Sequence, residues 1–212
     1  MVAYGSCVIG VALYIYLVGV GGQGILTIGE ILSSAAMEKD LPVFFYPSKG
    51  MAQRGGFVKA QLQIGKKNVG PNIIEKGSDI VFAMETSEAL KAVRFAKPGG
   101  TFLLLANFWA PTDVILGKAS YPELDKVIGE IQKSGAKLVL ISDKDLPEYE
   151  GKKVADNIFM LGAAMKHSVL NKLFDSADID RIVQNRWKRA SASNHFAFQA
   201  GMDYQPQLIA GE

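Results

Sequence analysis

Two clusters in this sequence combine residue types and spacings that suit chemistry. The first is Gly19-Val20-Gly21-Gly22-Gln23-Gly24, a complete G-x-G-x-x-G. It follows the apolar run Leu13-Tyr14-Ile15-Tyr16-Leu17-Val18 and precedes Ile25, Ile28, Leu32, Ala35 and Ala36, which share one helical face. Glycines between a buried strand and a helix let the backbone approach a ligand and turn the first helical N–H groups toward an anion. The second cluster is Ser48-Lys49-Gly50-Met51-Ala52-Gln53-Arg54-Gly55-Gly56. Its glycines permit close backbone approach, and Arg54 offers a planar fork for phosphate or carboxylate. The candidate ligand contacts are Gly21, Gly22, Gln23 and Gly24 as backbone donors and Arg54 as the anion contact. Ser48, Gln53, Gly55, Gly56 and Asn107 stand behind them.

The elements that must position these clusters are read from periodicity. A strand over about 13–19 leads through the glycine loop into a helix ending near Lys39, and Leu41 to Tyr46 forms a second strand. After a Pro47-Ser48-Lys49-Gly50 turn, Val58, Ala60, Leu62 and Ile64 alternate with Lys59, Gln61 and Gln63. That period of two predicts a strand with one polar face, at or near a sheet edge. Asp79 to Met84 is a further buried strand, followed by a helix capped by Thr86 or Ser87. Lys97-Pro98-Gly99-Gly100 turns into strand Thr101 to Ala106, with Asn107 at the strand end where ligand contacts usually occur. Pro122 opens a helix stopped by Ser134-Gly135, Lys137 to Ser142 is the next strand, and helices follow over about 152–172 and 178–190.

This alternation predicts an α/β protein, a three-layer Rossmann-like sandwich with a mostly parallel sheet. Residues 1–212 read as a single domain, with 1–10 an irregular N-terminal extension and 191–212 an irregular tail anchored by Phe196, Phe198 and Tyr204.

Three readings of the first loop compete. A dinucleotide site needs an acidic residue at the end of the second strand to hold the ribose hydroxyls. Here that strand ends Phe45-Tyr46-Pro47-Ser48, and the nearest acids, Glu38 and Asp40, precede it. A P-loop needs a lysine after the last glycine, and Gly24 is followed by Ile25. The third reading is a tight strand-to-helix turn with no ligand. A free-standing dinucleotide-dependent oxidoreductase and a pure assembly protein therefore remain as alternatives to a ligand-binding subunit.

Composition narrows the field. Of 212 residues, 49% are apolar and 21% charged, which describes a globular chain, and a net charge of +2 is too small to imply a nucleic-acid partner. Arg186-Trp187-Lys188-Arg189 reads as a solvated helix face. The uncharged stretch before Glu30 is broken by three glycines where a spanning helix would continue, so it reads as a buried strand and not a membrane segment. The single cysteine, Cys7, excludes an internal disulfide and a cysteine-ligated cluster held by this chain alone, and it fits a reducing cytoplasm.

With both glycine clusters in view, the sequence resembles the small subunit of 2-oxoacid:ferredoxin oxidoreductases. That subunit is called gamma in the pyruvate and ketoisovalerate enzymes and beta in indolepyruvate oxidoreductase. The resemblance rests on Gly19 to Ile25 with Gly50-Met51-Ala52-Gln53-Arg54-Gly55-Gly56. It continues through Asp79-Ile80-Val81 with Glu85, Lys97-Pro98-Gly99-Gly100 and Leu161-Gly162-Ala163, over about residues 13–190. Met51-Ala52-Gln53 before Arg54 is most similar to the indolepyruvate branch.

The resemblance implies a complex that oxidatively decarboxylates a 2-oxoacid to acyl-CoA and passes two electrons to ferredoxin. Thiamine diphosphate, magnesium and iron–sulfur clusters are then expected in partner subunits, with coenzyme A as co-substrate and no cofactor held by this chain alone. Its partners are the other subunits and, through them, ferredoxin. The isolated chain is expected to be inactive, without catalytic residues of its own, and to be free to form a homodimer.

Other residues have plain readings. His167 and His195 suit surface or capping roles and no metal, and Met160 and Met165 suit core or interface. Trp109 beside Pro111 suits an interface anchor. Glu85 and Glu88 suit either acid–base work or the favourable first turn of a helix.

Overall fold

Apolar strands that alternate with amphipathic helices can bury both sheet faces only as a layered α/β sandwich, and the chain folds that way. The computed structural model describes residues 12–49, 56–67, 69–70, 72–108, 112–118 and 120–206. In chain order the elements begin β1 (Leu13–Val20), α1 (Ile25–Glu38), β2 (Val43–Lys49), β3 (Phe57–Ile64), β4 (Ser78–Ala83), α2 (Thr86–Val93) and β5 (Ala96–Ala106). They continue with α3 (Thr112–Ile115), α4 (Leu124–Lys133), β6 (Lys137–Ser142), β7 (Glu148–Tyr149), β8 (Lys152–Lys153), α5 (Asp156–His167), α6 (Ser176–Arg186) and α7 (Ser191–Asp203).

The main sheet runs in the order β2-β3-β1-β4-β5-β6. β1, β4, β5 and β6 are parallel. β3 is antiparallel to both β1 and β2, so β2 runs with the majority. The expected mostly parallel sheet is found, with one reversed strand. Period-two alternation splits the core into two clusters. Ile15 and Leu17 of β1 face the cluster with α1, α5, α6 and α7, and Tyr16 and Val18 face the cluster with α2 and α4. Gly29 admits the Phe45 ring against α1, since a Cβ there would fall 2.3 Å from Phe45 Cε2.

Several boundaries differ from expectation for physical reasons. The predicted Pro47-Ser48 turn is strand. Pro47 pairs with Ala60 inside β2, where an edge strand spares the missing N–H. The polar face of β3 is covered, not solvated. Gln61 donates to Asn72 Oδ1 at 3.1 Å and accepts from the Ile73 N–H, while Gln63 donates to the Gly70 carbonyl at 2.8 Å. The predicted helix over 152–172 begins only at Asp156, because Lys152–Lys153 pair with Glu148–Tyr149 as a hairpin.

The largest correction concerns the tail. Residues 191–203 form α7, whose Asn194, Ala197, Phe198 and Gly201 are buried at helical spacing. The helix lies so close to α5 that a Cβ on Gly162 would sit 2.1 Å from the Phe198 carbonyl oxygen. One on Gly201 would sit 2.0 Å from that of Phe159. Tyr204 adds to this packing, its hydroxyl lying 2.8 Å from both the Leu140 carbonyl and Asp145 Oδ2. Residues 1–10, Trp109 and Pro111 lie outside the described residues.

Candidate functional site

Because α1 packs on one sheet face and α2 on the other, the carboxyl ends of β1 and β4 form the topological switch point of the sheet, the usual ligand crevice of open α/β folds. The glycine loop, residues 21–24, enters this crevice from β1, and Glu85 with Thr86 enters it from β4. The residue that fills it is Gln23, only 5% exposed. Its Oε1 accepts from the Val20 N–H at 2.8 Å and its Nε2 donates to the Met84 carbonyl at 2.6 Å. One amide therefore ties the end of β1 to the end of β4. Gly19 is required beneath it, since a Cβ there would lie 2.8 Å from Gln23 Oε1.

The loop's backbone donors are partly engaged within the chain. Gly21 N–H donates to the Gly56 carbonyl at 2.9 Å and Gln23 N–H to the Val20 carbonyl at 3.2 Å. Both N–H groups expected to face an anion thus have acceptors inside the chain. Gly24 caps α1 in a left-handed conformation (φ 70°) with no Cβ to collide with Asn157, whose Nδ2 donates to the Gly24 carbonyl at 3.2 Å. Gly22, with φ 112° and open space around it, is the exposed point of the loop. The Gly21–Gly56 bond also brings the start of β3 to the glycine loop, so the last residue of the second cluster meets the first cluster at the carboxyl end of β1. Of the second cluster, Ser48 is exposed on β2 opposite Lys59. Met51, Ala52, Gln53, Arg54 and Gly55 lie outside the described residues.

Next to Gln23 stands a carboxyl group whose depth the sequence did not disclose. Glu85 is fully buried (0% exposed) and is itself the N-cap of α2, in place of the expected Thr86 or Ser87. Its side chain accepts from the Glu88 N–H at 2.9 Å and the Ser87 hydroxyl at 2.6 Å, and also from the Tyr121 hydroxyl. Burial and that bond to Glu85 push the Tyr121 phenol well above its ordinary range, so Tyr121 acts as a donor. The same hydroxyl lies 3.3 Å from the Asn107 carbonyl, which also accepts from Thr86 Oγ1 at 3.3 Å. Asn107 thus reaches the crevice through its backbone, and Phe108 packs its ring 4.4 Å from that of Tyr121.

Glu88, also buried, meets Lys91 Nζ at 2.9 Å through Oε1, while Oε2 has no partner among the described residues. Burial raises its carboxyl above the usual carboxylate range, with Lys91 opposing and Glu85 adding to the shift. Burial likewise raises Asp156 at the start of α5. Sequence spacing did mark Glu85 and Glu88 together, but nothing local signalled Tyr121 or Asn157, which arrive from distant segments.

The remaining candidates take the plain roles. His167 Nε2 lies 2.8 Å from the Tyr204 carbonyl and His195 Nδ1 lies 2.7 Å from Asp180. Met160 and Met165 are core residues. Among the described residues no three His, Cys, Asp or Glu side chains converge as metal ligands, and Cys7 is the chain's sole cysteine. A single cysteine cannot supply the thiolate set of an iron–sulfur cluster. No helix among the described residues is long and apolar enough to cross a membrane.

Comparison with known proteins adds to this geometry. The family model for pyruvate ferredoxin/flavodoxin oxidoreductase matches residues 14–204. The indolepyruvate oxidoreductase subunit IorB of Archaeoglobus fulgidus is 38% identical over 150 residues, covering 71% of this chain and 74% of that protein. The crystal structure of pyruvate oxidoreductase subunit PORC from Thermotoga maritima shares the fold with a TM-score of 0.61 at 20% identity, over 90% of this chain and 94% of that one. A 2-oxoglutarate:ferredoxin oxidoreductase from Magnetococcus marinus, solved with 2-oxoglutarate, coenzyme A and succinyl-CoA bound, matches with a TM-score of 0.56 at 17% identity. That match covers 94% of this chain but 32% of the other, so there the same fold is one portion of a longer polypeptide.

Proposed function

This chain belongs to the pyruvate ferredoxin/flavodoxin oxidoreductase family, and from that premise we propose that it is the small subunit of a cytoplasmic, hetero-oligomeric 2-oxoacid:ferredoxin oxidoreductase. The observation that carries the reading is the family match across residues 14–204. The complex converts a 2-oxoacid and coenzyme A to acyl-CoA and carbon dioxide and passes two electrons to ferredoxin. Thiamine diphosphate, magnesium and the clusters reside in the partner subunits, a reading that the lone cysteine supports for the clusters.

The substrate of the complex is an aryl 2-oxoacid of the indolepyruvate type, ahead of pyruvate or ketoisovalerate. Support comes from Met51-Ala52-Gln53 before Arg54 and from the 38% identity to an indolepyruvate oxidoreductase subunit. Within the subunit, Gly22 contacts the shared active site, and Arg54 holds an anionic group of coenzyme A or the 2-oxoacid. Gln23 and Glu85 fix the base on which the glycine loop stands. Gln23 in the crevice and the lack of an acid at the end of β2 both weigh against a free-standing nicotinamide or flavin enzyme.

Co-purification with the partner subunits, followed by 2-oxoacid- and coenzyme A-dependent reduction of methyl viologen, tests the assignment. The full complex should turn over indolepyruvate faster than pyruvate and lose activity when this chain is omitted. Arg54→Ala in the assembled complex should raise the KM for coenzyme A or the 2-oxoacid. Unchanged constants would remove Arg54 from the site and leave the chain an assembly subunit.

A further inference from the structure

Charge is distributed unevenly along this chain. Residues 41–74 hold five Lys or Arg and no Asp or Glu, although the whole chain carries only +2, so the remainder is net negative. This basic stretch builds β2 and β3, the end of the sheet beside the glycine loop. On one face α1 covers both strands, through Val43, Phe45, Val58 and Ala60. On the other face the helices α2 and α4 pack over β1, β4, β5 and β6.

Register sets what β2 and β3 present on that second face. Tyr46 and Ser48 of β2 stand opposite Gln61 and Lys59 of β3, which stand opposite Tyr16 and Val18 in the cluster under α2. Gln61 is held beneath Asn72 and Ile73, but Tyr46 is 38% exposed, Ser48 is exposed and Lys59 is half-buried. Lys59 has no carboxylate partner among the described residues. Lys91 reaches in from α2, its ammonium 5.0 Å from the half-buried Phe57 ring and paired with a carboxylate, Glu88, that is itself buried. Aromatic surface edged by cations, with no acid from its own strands, suits a partner that brings apolar groups and carboxylates.

We propose that this face of β2 and β3 docks an acidic, apolar-bearing surface of another subunit of the oxidoreductase complex. Such docking rests on the subunit assignment above and adds where the partner sits. Several features select that occupant. The residues of this chain outside the described ones contain a single acid, Glu212, too little to match the basic face. A second copy packed face to face would set Lys59 and Lys91 against their own equivalents. Pro47 lacks the N–H that strand addition along the open edge of β2 would use, which turns a partner toward the face instead. The face also ends at Phe57, beside the Gly56 carbonyl that holds Gly21, so a subunit seated there borders the glycine loop.

Titration of the labelled full-length chain with the other subunits, read by fluorescence anisotropy at low and high ionic strength, tests the docking. Lys59→Glu and Tyr46→Ser should each weaken binding about tenfold, and salt should weaken the wild type. Lys166→Glu, exposed on α5 across the sheet, should bind as the wild type does. Should Lys59→Glu fail to fold by circular dichroism, Tyr46→Ser decides alone, because its ring stands on the exposed edge strand. Unchanged affinity in both face variants overturns the docking proposal and leaves the subunit assignment intact. Failure of the wild type to bind the other subunits overturns both. A dimer of the isolated chain that Tyr46→Ser dissociates would make the occupant a second copy, which also overturns the proposal.

Discussion

The glycines at residues 19–24 and the pair Gly162 and Gly201 occupy opposite ends of the chain and look opposite in sequence. The first group has the spacing of a ligand loop, and the second lies in helices with no motif between them. In the folded chain much of the first group is committed to structure. Gly19 clears Gln23, Gly24 clears Asn157, and Gly21 bonds to Gly56. The second group permits the tightest approach among the glycines, with backbone against backbone at the α5–α7 crossing. A glycine's meaning therefore depends on what stands opposite it. In a turn the opposing group is a few residues away and readable, whereas at a helix crossing it is remote.

This contrast can be broken by measurement. The largest effect is expected from Gly201→Ala. Its methyl would meet the Phe159 carbonyl at 2.0 Å, and backbone cannot step aside as a side-chain end can. A loss of about 3 kcal/mol or more is expected in urea unfolding, at the top of the overpacking range. A loss below about 1 kcal/mol would mean that α7 is not held as described. Gln23→Ala comes next, at about 2 kcal/mol, because it leaves the buried Val20 N–H and Met84 carbonyl without their partners. If it proves neutral, the crevice is not closed by this amide and a ligand reading of the loop regains ground.

Gly22→Ala should cost only about 1 kcal/mol, since its φ of 112° is strained for alanine while the space around it is open. Equal costs at Gly22 and Gly201 would erase the distinction between the two regions.

Glu88→Gln sharpens the same comparison on the α2 side. The folded carboxyl is raised above its ordinary value of 4.5 by burial, so folding favours its protonated form. The stability this provides is complete below that value and is lost as pH rises through the higher folded value. The wild-type chain should therefore lose stability relative to Glu88→Gln between about pH 3.5 and about pH 7, as the ordinary value of 4.5 and then the raised folded value are passed. Urea midpoints of the two proteins at both pH values check this. A difference that is flat with pH, or has the opposite slope, contradicts it.

What the sequence disclosed follows from the same locality. β1, β4, β5 and β6 are apolar on both faces because helices cover both, so each reads as a continuous run. The reversal of β3 was legible in principle. Residues 50–56 are too few to cross over to a parallel strand, which needs about a dozen residues or more. α7 escaped notice because Ser191, Ser193, Asn194 and His195 outweigh its four-residue spacing of Asn194, Phe198 and Met202 in any reading of composition. In the site, Gly21 to Gly24 and Gly56 were each legible as candidates, while the bond that joins Gly21 to Gly56 is a tertiary fact. The burial of Glu85 depends on Tyr121 and on the crevice that Gln23 fills, both tertiary facts.

The strand order has a consequence for how the protein is made. β1 precedes both of its sheet neighbours, β3 and β4, in the sequence. Its seam with β4 closes only once Ala83 has emerged. Until then one side of Leu13 to Val20 is an unpaired apolar edge, the kind of segment that nascent-chain chaperones shield. The β2–β3 hairpin, made of adjacent segments, can form first and offer β1 an antiparallel partner before the parallel half of the sheet exists. The one reversed strand thus shortens the interval during which the growing chain is open to aggregation.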